Sequence, residues 1–127
     1  MKLSAKSLLE QALALDAQAR EREAIPLYRR AIGGGLSSGD LRVAMIGLGS
    51  SLEAAGQTRA AIRTLQEARK RYPRDVAVML FLALAHYHAG QRSLAVRQLG
   101  DGLLKESRQP GLAMFRKALA RKYHACR

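Results

Sequence analysis

Three histidines, one cysteine, two glycine-rich stretches and a large excess of arginine and lysine are the residues of this chain that could do chemistry. His86 and His88 stand two apart; on a helix that spacing sends them to different faces and denies them a shared metal ion. His124 and Cys126 lie close together, but a metal site needs further ligands, and the sequence places none beside them. Gly47-Leu48-Gly49 has the first two glycines of a dinucleotide fingerprint, without the third glycine and without a preceding strand. Gly33-Gly34-Gly35 lacks the following Lys-Ser/Thr of a phosphate loop. The first stretch therefore reads as close helix packing and the second as the end of a helix. No Ser/His/Asp or Cys/His arrangement emerges, and the acidic residues are few and scattered. The expectation is a protein with no catalytic residue, no metal and no cofactor, and not an enzyme.

What remains is charge. The net charge is +12, with 22 basic and 10 acidic residues in 127. Residues 107–127 carry six basic groups and no acidic one, half of the whole excess. Two clusters stand out. One comprises Arg59, Arg63, Arg69, Lys70, Arg71 and Arg74; the other comprises Arg116, Lys117, Arg121 and Lys122. Such clusters suit phosphate contacts with nucleic acid, an acidic protein or an anionic surface. No aromatic platform is interleaved with them, as single-strand binding usually requires. They read first as solvated cationic faces that steer an acidic partner, with electrostatic nucleic-acid binding as the alternative.

The elements that must position these residues are helices. In Arg42 to Asp75, apolar residues recur at helical spacing twice, as Met45, Leu48 and Leu52 and then as Ile62, Leu65 and Ala68. Gly56 suits a left-handed helix stop, Thr58 suits the next N-cap, and Pro73 bars continuation. The result is a helical hairpin of about 34 residues. Adding 34 to Ala61 reaches Ala95, with Met79, Leu82, Ala83, His86, Gly90 and Leu99 in matching order. An offset of 37 in the other direction places Leu8, Ala12, Leu15, Ala24, Tyr28 and Ala31 in register. The three extra residues fall in the loop Gly33 to Asp40.

The pattern Met45, Leu48-Gly49, Leu52, then Ala61 and Leu65, then Ala68 and Pro73 resembles the tetratricopeptide (TPR) repeat, with aliphatic residues at three aromatic slots. The chain is similar to the short stand-alone bacterial proteins of that family. The resemblance implies an all-α, right-handed superhelix of three hairpins plus a capping helix, seven helices in all. The repeats are expected at about residues 5–41, 42–75 and 76–109 and the capping helix at 110–124, forming one domain over 1–127. Helix starts are expected at Ser4, Asp40, Thr58 and Asp75 as N-caps, and at Pro110 as a first-turn residue. In the last helix, Leu112, Phe115, Leu119 and Tyr123 form one apolar face. That face suits the solvating helix that ends a repeat stack.

In this family the first helix of each hairpin lines the concave face. The resemblance therefore implies a partner-binding groove of Lys6, Leu9, Leu13 and Asp16; of Val43, Ile46, Ser50 and Glu53; and of Ala77, Leu80, Leu84 and Tyr87. The family's clamp for a C-terminal carboxylate uses Lys, Asn and Arg there, and only Lys6 resembles it. Seven of the twelve positions are large and apolar or aromatic, which suits an amphipathic helix or peptide laid in a groove. Coverage of the same stripe by the last helix, or by a second copy in a homodimer, is the competing expectation. Cys126 is the one cysteine, which excludes an intramolecular disulfide framework and agrees with a cytoplasmic location. No run reaches the length of a membrane span. The expected function is a non-catalytic protein-interaction scaffold.

Overall fold

The computed structural model describes residues 3–127. Seven α-helices follow one another: α1 (Ala5–Ala17), α2 (Glu21–Gly33), α3 (Ser38–Ala54), α4 (Thr58–Arg71), α5 (Val76–His88), α6 (Arg92–Glu106) and α7 (Arg116–His124). A short 3-10 turn, Leu112–Phe115, leads into α7. No strand occurs among the described residues. Three hairpins, α1/α2, α3/α4 and α5/α6, stack in order, with α1 against α3 and α3 against α5 along one side. The last helix, α7, packs on α6 and on the 3-10 turn.

Each hairpin turns in the same way. The amide of Arg20 donates to the Leu15 carbonyl at 2.9 Å, that of Gln57 to Leu52 at 2.8 Å, and that of Gln91 to His86 at 2.9 Å. This six-to-one bond requires a left-handed residue just before it. Gly56 (φ 82°) and Gly90 (φ 85°) supply that conformation in the second and third hairpins, and Ala19 (φ 58°) adopts it in the first. An L-residue with a Cβ is strained there by roughly 1–2 kcal/mol. The left-handed residue also sets where the helices end: α1 stops at Ala17, two residues before Ala19.

Two of the expected caps are corrected, the first of them by this turn. Gln57, not Thr58, occupies the N-cap of α4, because its amide is already committed to closing the turn; Thr58 becomes the first helical residue. The second helix of every hairpin lacks a side-chain cap, whereas the first helix of every hairpin has one. Ser4 Oγ accepts from the Ser7 amide at 3.1 Å, Ser37 Oγ from the Asp40 amide at 3.3 Å, and Asp75 Oδ1 from the Val78 amide at 3.1 Å. Ser37 thus caps α3, and Asp40 lies in its first turn, where a carboxylate favours the helix dipole. Pro110 lies in the turn before the 3-10 segment rather than in the first turn of α7.

Small residues let the helices close on one another. A Cβ on Gly47 would come within 2.5 Å of the Tyr28 ring, and one on Gly49 within 2.5 Å of Leu65. The two glycines of α3 are therefore notches, one for the preceding hairpin and one for its own partner helix. Tyr28, Leu52 and Leu65 are fully buried, with alanines Ala12, Ala24, Ala31, Ala61 and Ala68 at the crossings. The largest cluster runs through α1 to α4, while the clusters reaching α5 are smaller. Neither α7 nor the 3-10 turn buries a residue.

Candidate interaction surface

The inner face is graded along the stack. Leu9 on α1 is 4% exposed and belongs to the main core. Its counterpart Ile46 on α3 is half-buried against the second cluster, and the next, Leu80 on α5, is 47% exposed. The physical reason lies in the neighbours. α1 and α3 each have a following first-of-hairpin helix beside them; α5 has none. The chain beyond α6 goes to α6 itself. The Tyr123 ring lies over Gly100, so close that a Cβ there would meet it at 2.2 Å. α7 therefore does not cover α5.

Each residue expected in the groove can be placed. Lys6 is exposed on α1, and Leu13 is partly exposed two turns further on. Asp16 accepts a hydrogen bond from the Tyr28 hydroxyl at 2.8 Å. Burial, then that bond, pushes the Tyr28 phenol above its ordinary range. Val43 packs on the main cluster, and the Ser50 hydroxyl donates to the Gly47 carbonyl at 3.2 Å. Glu53 is paired with His88 across the gap between α3 and α5. Ala77 is half-buried. Leu84 and Tyr87 are open, and Arg92 stands 5.4 Å from the centre of the Tyr87 ring in a cation–π contact. Asp16, Ser50 and Glu53 thus already have intramolecular partners, and the open apolar residues gather on α5.

Val76 extends this stripe by one turn toward the start of α5 and was not among the expected residues. Its spacing of four from Leu80 and eight from Leu84 carries the same signal. Leu103 on α6 adds to the open apolar surface and lines a narrow crevice with Val76, Leu80 and Leu99. At the other end, the 3-10 turn breaks the 3.6-residue register of the expected apolar face. Phe115 and Met114 consequently stand exposed, while Leu119 and Tyr123 remain half-buried.

The basic residues of α4, Arg59, Arg63, Arg69, Lys70 and Arg71, are exposed, as is Arg74 just beyond it. Lys70 pairs with Glu67, and Arg74 reaches Glu106 at 3.5 Å. On α7, Lys117, Arg121 and Lys122 are exposed and Arg116 is half-buried. The histidines also have placements. His86 is buried with Nδ1 2.6 Å from the Gln91 amide oxygen, and His88 ends α5. No group of three or more potential metal-binding side chains gathers among the described residues. No helix among them is long and apolar enough to cross a membrane.

Stacked hairpins joined by one repeated turn, closed by notches of glycine and alanine, define a helical-repeat scaffold. The family model described as tetratrico peptide repeat matches residues 5–124, nearly the full chain, and the protein belongs to that family. The family is one of protein-interaction scaffolds, typically without catalysis. No curated protein matches the chain.

Proposed function

We propose that this protein is a non-catalytic adaptor that receives an apolar helix or peptide of a protein partner on its inner face, centred on α5. One observation carries the reading. Val76, Leu80, Leu84 and Tyr87 lie on one face of α5, each between 45 and 49% exposed, and α5 contains no acidic residue, lysine or arginine. Half-exposed large apolar side chains in a row are a cost in water that a partner's apolar face relieves, at about 25 cal/mol per Å² removed from solvent. The groove positions Leu13, Ile46, Ser50 and Glu53 would border that footprint, while Leu9, held in the core, would support it from behind. The excess positive charge of α4 and α7 would speed encounter with an acidic partner.

The reading is tested by Leu80→Glu and Leu84→Glu. Each is expected to abolish partner binding while circular dichroism stays as in the wild type, since both side chains are already half in water. Ile46→Glu is a poorer test, because Ile46 packs on the second core cluster and a carboxylate there would unfold the stack. Electrostatic nucleic-acid binding is the second reading, favoured by the exposure of the α4 and α7 cations. Under it, Arg116→Glu with Lys117→Glu would weaken binding more than either change on α5.

A further inference from the structure

We propose that the open side of the third hairpin is the seat of one amphipathic helix from a partner protein, which takes the place of a fourth first-of-hairpin helix. The inference rests on the reading above, that α5 receives a protein partner. It adds a second wall from α6 and names the kind of helix that fits.

The chain builds this joint twice within itself. α3 lies on α1 and α2, and α5 lies on α3 and α4. Ile25 and Tyr28 of α2 share a core cluster with Ala44 and Leu48 of α3. At the matching places on α4, Ile62 and Leu65 share a cluster with Leu82 and Ala85 of α5. The third instance of the pair is Val96 and Leu99 on α6, and cover is lost along the series. Ile25 is 4% exposed, Ile62 is half-buried and Val96 is 42% exposed. Tyr28 and Leu65 are fully buried, whereas Leu99 is half-buried. Leu103, one turn beyond Leu99, is 62% exposed. Val96, Leu99 and Leu103 have the spacing of one helix face, and Leu99 and Leu103 line a crevice with Val76 and Leu80 of α5. The apolar surface that receives a following hairpin is therefore present on both α5 and α6.

α7 does not occupy it. Tyr123 lies over Gly100, and Arg97 and Asp101 stand beside residues of α7; by helical spacing these positions are on another side of α6. The two helices that do fill such a seat share a pattern. α3 enters with Ala44, Leu48 and Ser51, and α5 with Val78, Leu82 and Ala85, all of them buried. The occupant is a helix with a leucine, a compact residue four positions before it and another three positions after it. A second copy of this chain offers a poor match. Its α1 has Ser7, Gln11 and Ala14 at these places, and Gln11 is polar and exposed. Stacking two copies would also bring together two chains of net charge +12. A partner helix with carboxylates on its outward side meets that charge favourably.

The test uses two peptides of the chain as probes, residues 37–55 for α3 and residues 4–18 for α1. Each is labelled, titrated with the full chain and read by fluorescence anisotropy. Saturable one-to-one binding of the α3 peptide is expected. The α1 peptide, with Gln11 in place of the leucine, is expected to bind at least about tenfold more weakly. Leu103→Glu in the full chain is expected to weaken the α3 peptide by at least about tenfold. If that variant loses helicity, Val96→Glu serves in its place. Weakening by Leu84→Glu but not by Leu103→Glu would overturn the seat beside α6 and keep a partner on the inner face of α5. No saturable binding, or equal binding of the two peptides, would overturn the proposal. So would a wild type that is dimeric by light scattering and becomes monomeric with Leu103→Glu, since a second copy would then cover the face.

Discussion

Leu9 and Leu80 occupy the same position in the first and third hairpins, yet one lies in the core and the other is half in solvent. The two leucines are chemically identical, so the difference comes from what stands beside each helix. α1 and α3 are flanked by the next first-of-hairpin helix; α5 is not, because α7 turns onto α6 through the Tyr123–Gly100 contact. The stack thus spends its apolar pattern on folding at one end and leaves it available at the other. The same contrast holds for polar groups. Asp16 is engaged by Tyr28 and Glu53 by His88, while no charged side chain interrupts the α5 stripe.

The sharpest way to break this comparison is to truncate one leucine of the core and one of the open α5 face. Leu65→Ala removes a fully buried side chain and is expected to cost about 2–5 kcal/mol in urea unfolding. Leu84→Ala is expected to cost less than about 1 kcal/mol, since half of its surface is already in water. Similar costs at the two sites would mean that the α5 face is packed in solution.

The junction between the second and third hairpins comes next. Both Nε and Nη2 of Arg42 donate to the Asp75 carboxylate, which also caps α5. Asp75→Ala is expected to cost about 1–2 kcal/mol, mostly through the lost cap, because the ion pair is partly exposed. Hydrogen bonding from Arg42, helped by the Val78 amide, holds the Asp75 carboxyl below its ordinary value of 3.8. A depressed folded value means that this stabilisation is present above pH 3.8 and is lost as the pH falls through the folded value. The gap between wild type and Asp75→Ala should therefore narrow in unfolding curves taken on the acid side of that range.

Two smaller changes carry one hairpin's solution into another. Ser51 is fully buried and its hydroxyl has no hydrogen-bond partner, whereas Ala85 holds the matching place on α5. Ser51→Ala is expected to stabilise the protein by about 1 kcal/mol. Ala19 takes the left-handed conformation that Gly56 and Gly90 take in the other turns. Ala19→Gly is expected to stabilise by about 0.5–1 kcal/mol, the relief of strain less the entropy that glycine adds to the unfolded chain. Thermal unfolding would read both.

The hairpins and their register were legible because alanines at the crossings and leucines between them recur at a fixed interval. Tyr28, Leu52 and Leu65, all fully buried, fall at that interval, although Leu15 and Leu99 at the matching places are only half-buried. The caps of α3 and α4 were less legible. Asp40 and Thr58 have good capping side chains, but position is decided by the turn bond of Gln57 and by Ser37, three residues before Asp40. The inner face was legible as a list of positions and not as a surface. Periodicity gives the face of a helix, whereas exposure depends on whether another helix lies against it, as Leu9, Ile46 and Leu80 demonstrate. The route of α7 was not legible at all. It turns on a 3-10 step between Leu112 and Phe115 and on a tyrosine, Tyr123, that fits above a glycine, Gly100, 23 residues earlier.

The most direct measurement is nuclease-treated affinity capture from the source lysate, washed at low and then at high salt. Phosphate-driven binding falls steeply with salt through counterion release, and apolar docking does not. A specific protein retained by the wild type at high salt, and lost with Leu84→Glu, is the expected result. Loss of all binding on nuclease treatment, or equal retention by Leu84→Glu, would contradict docking on α5.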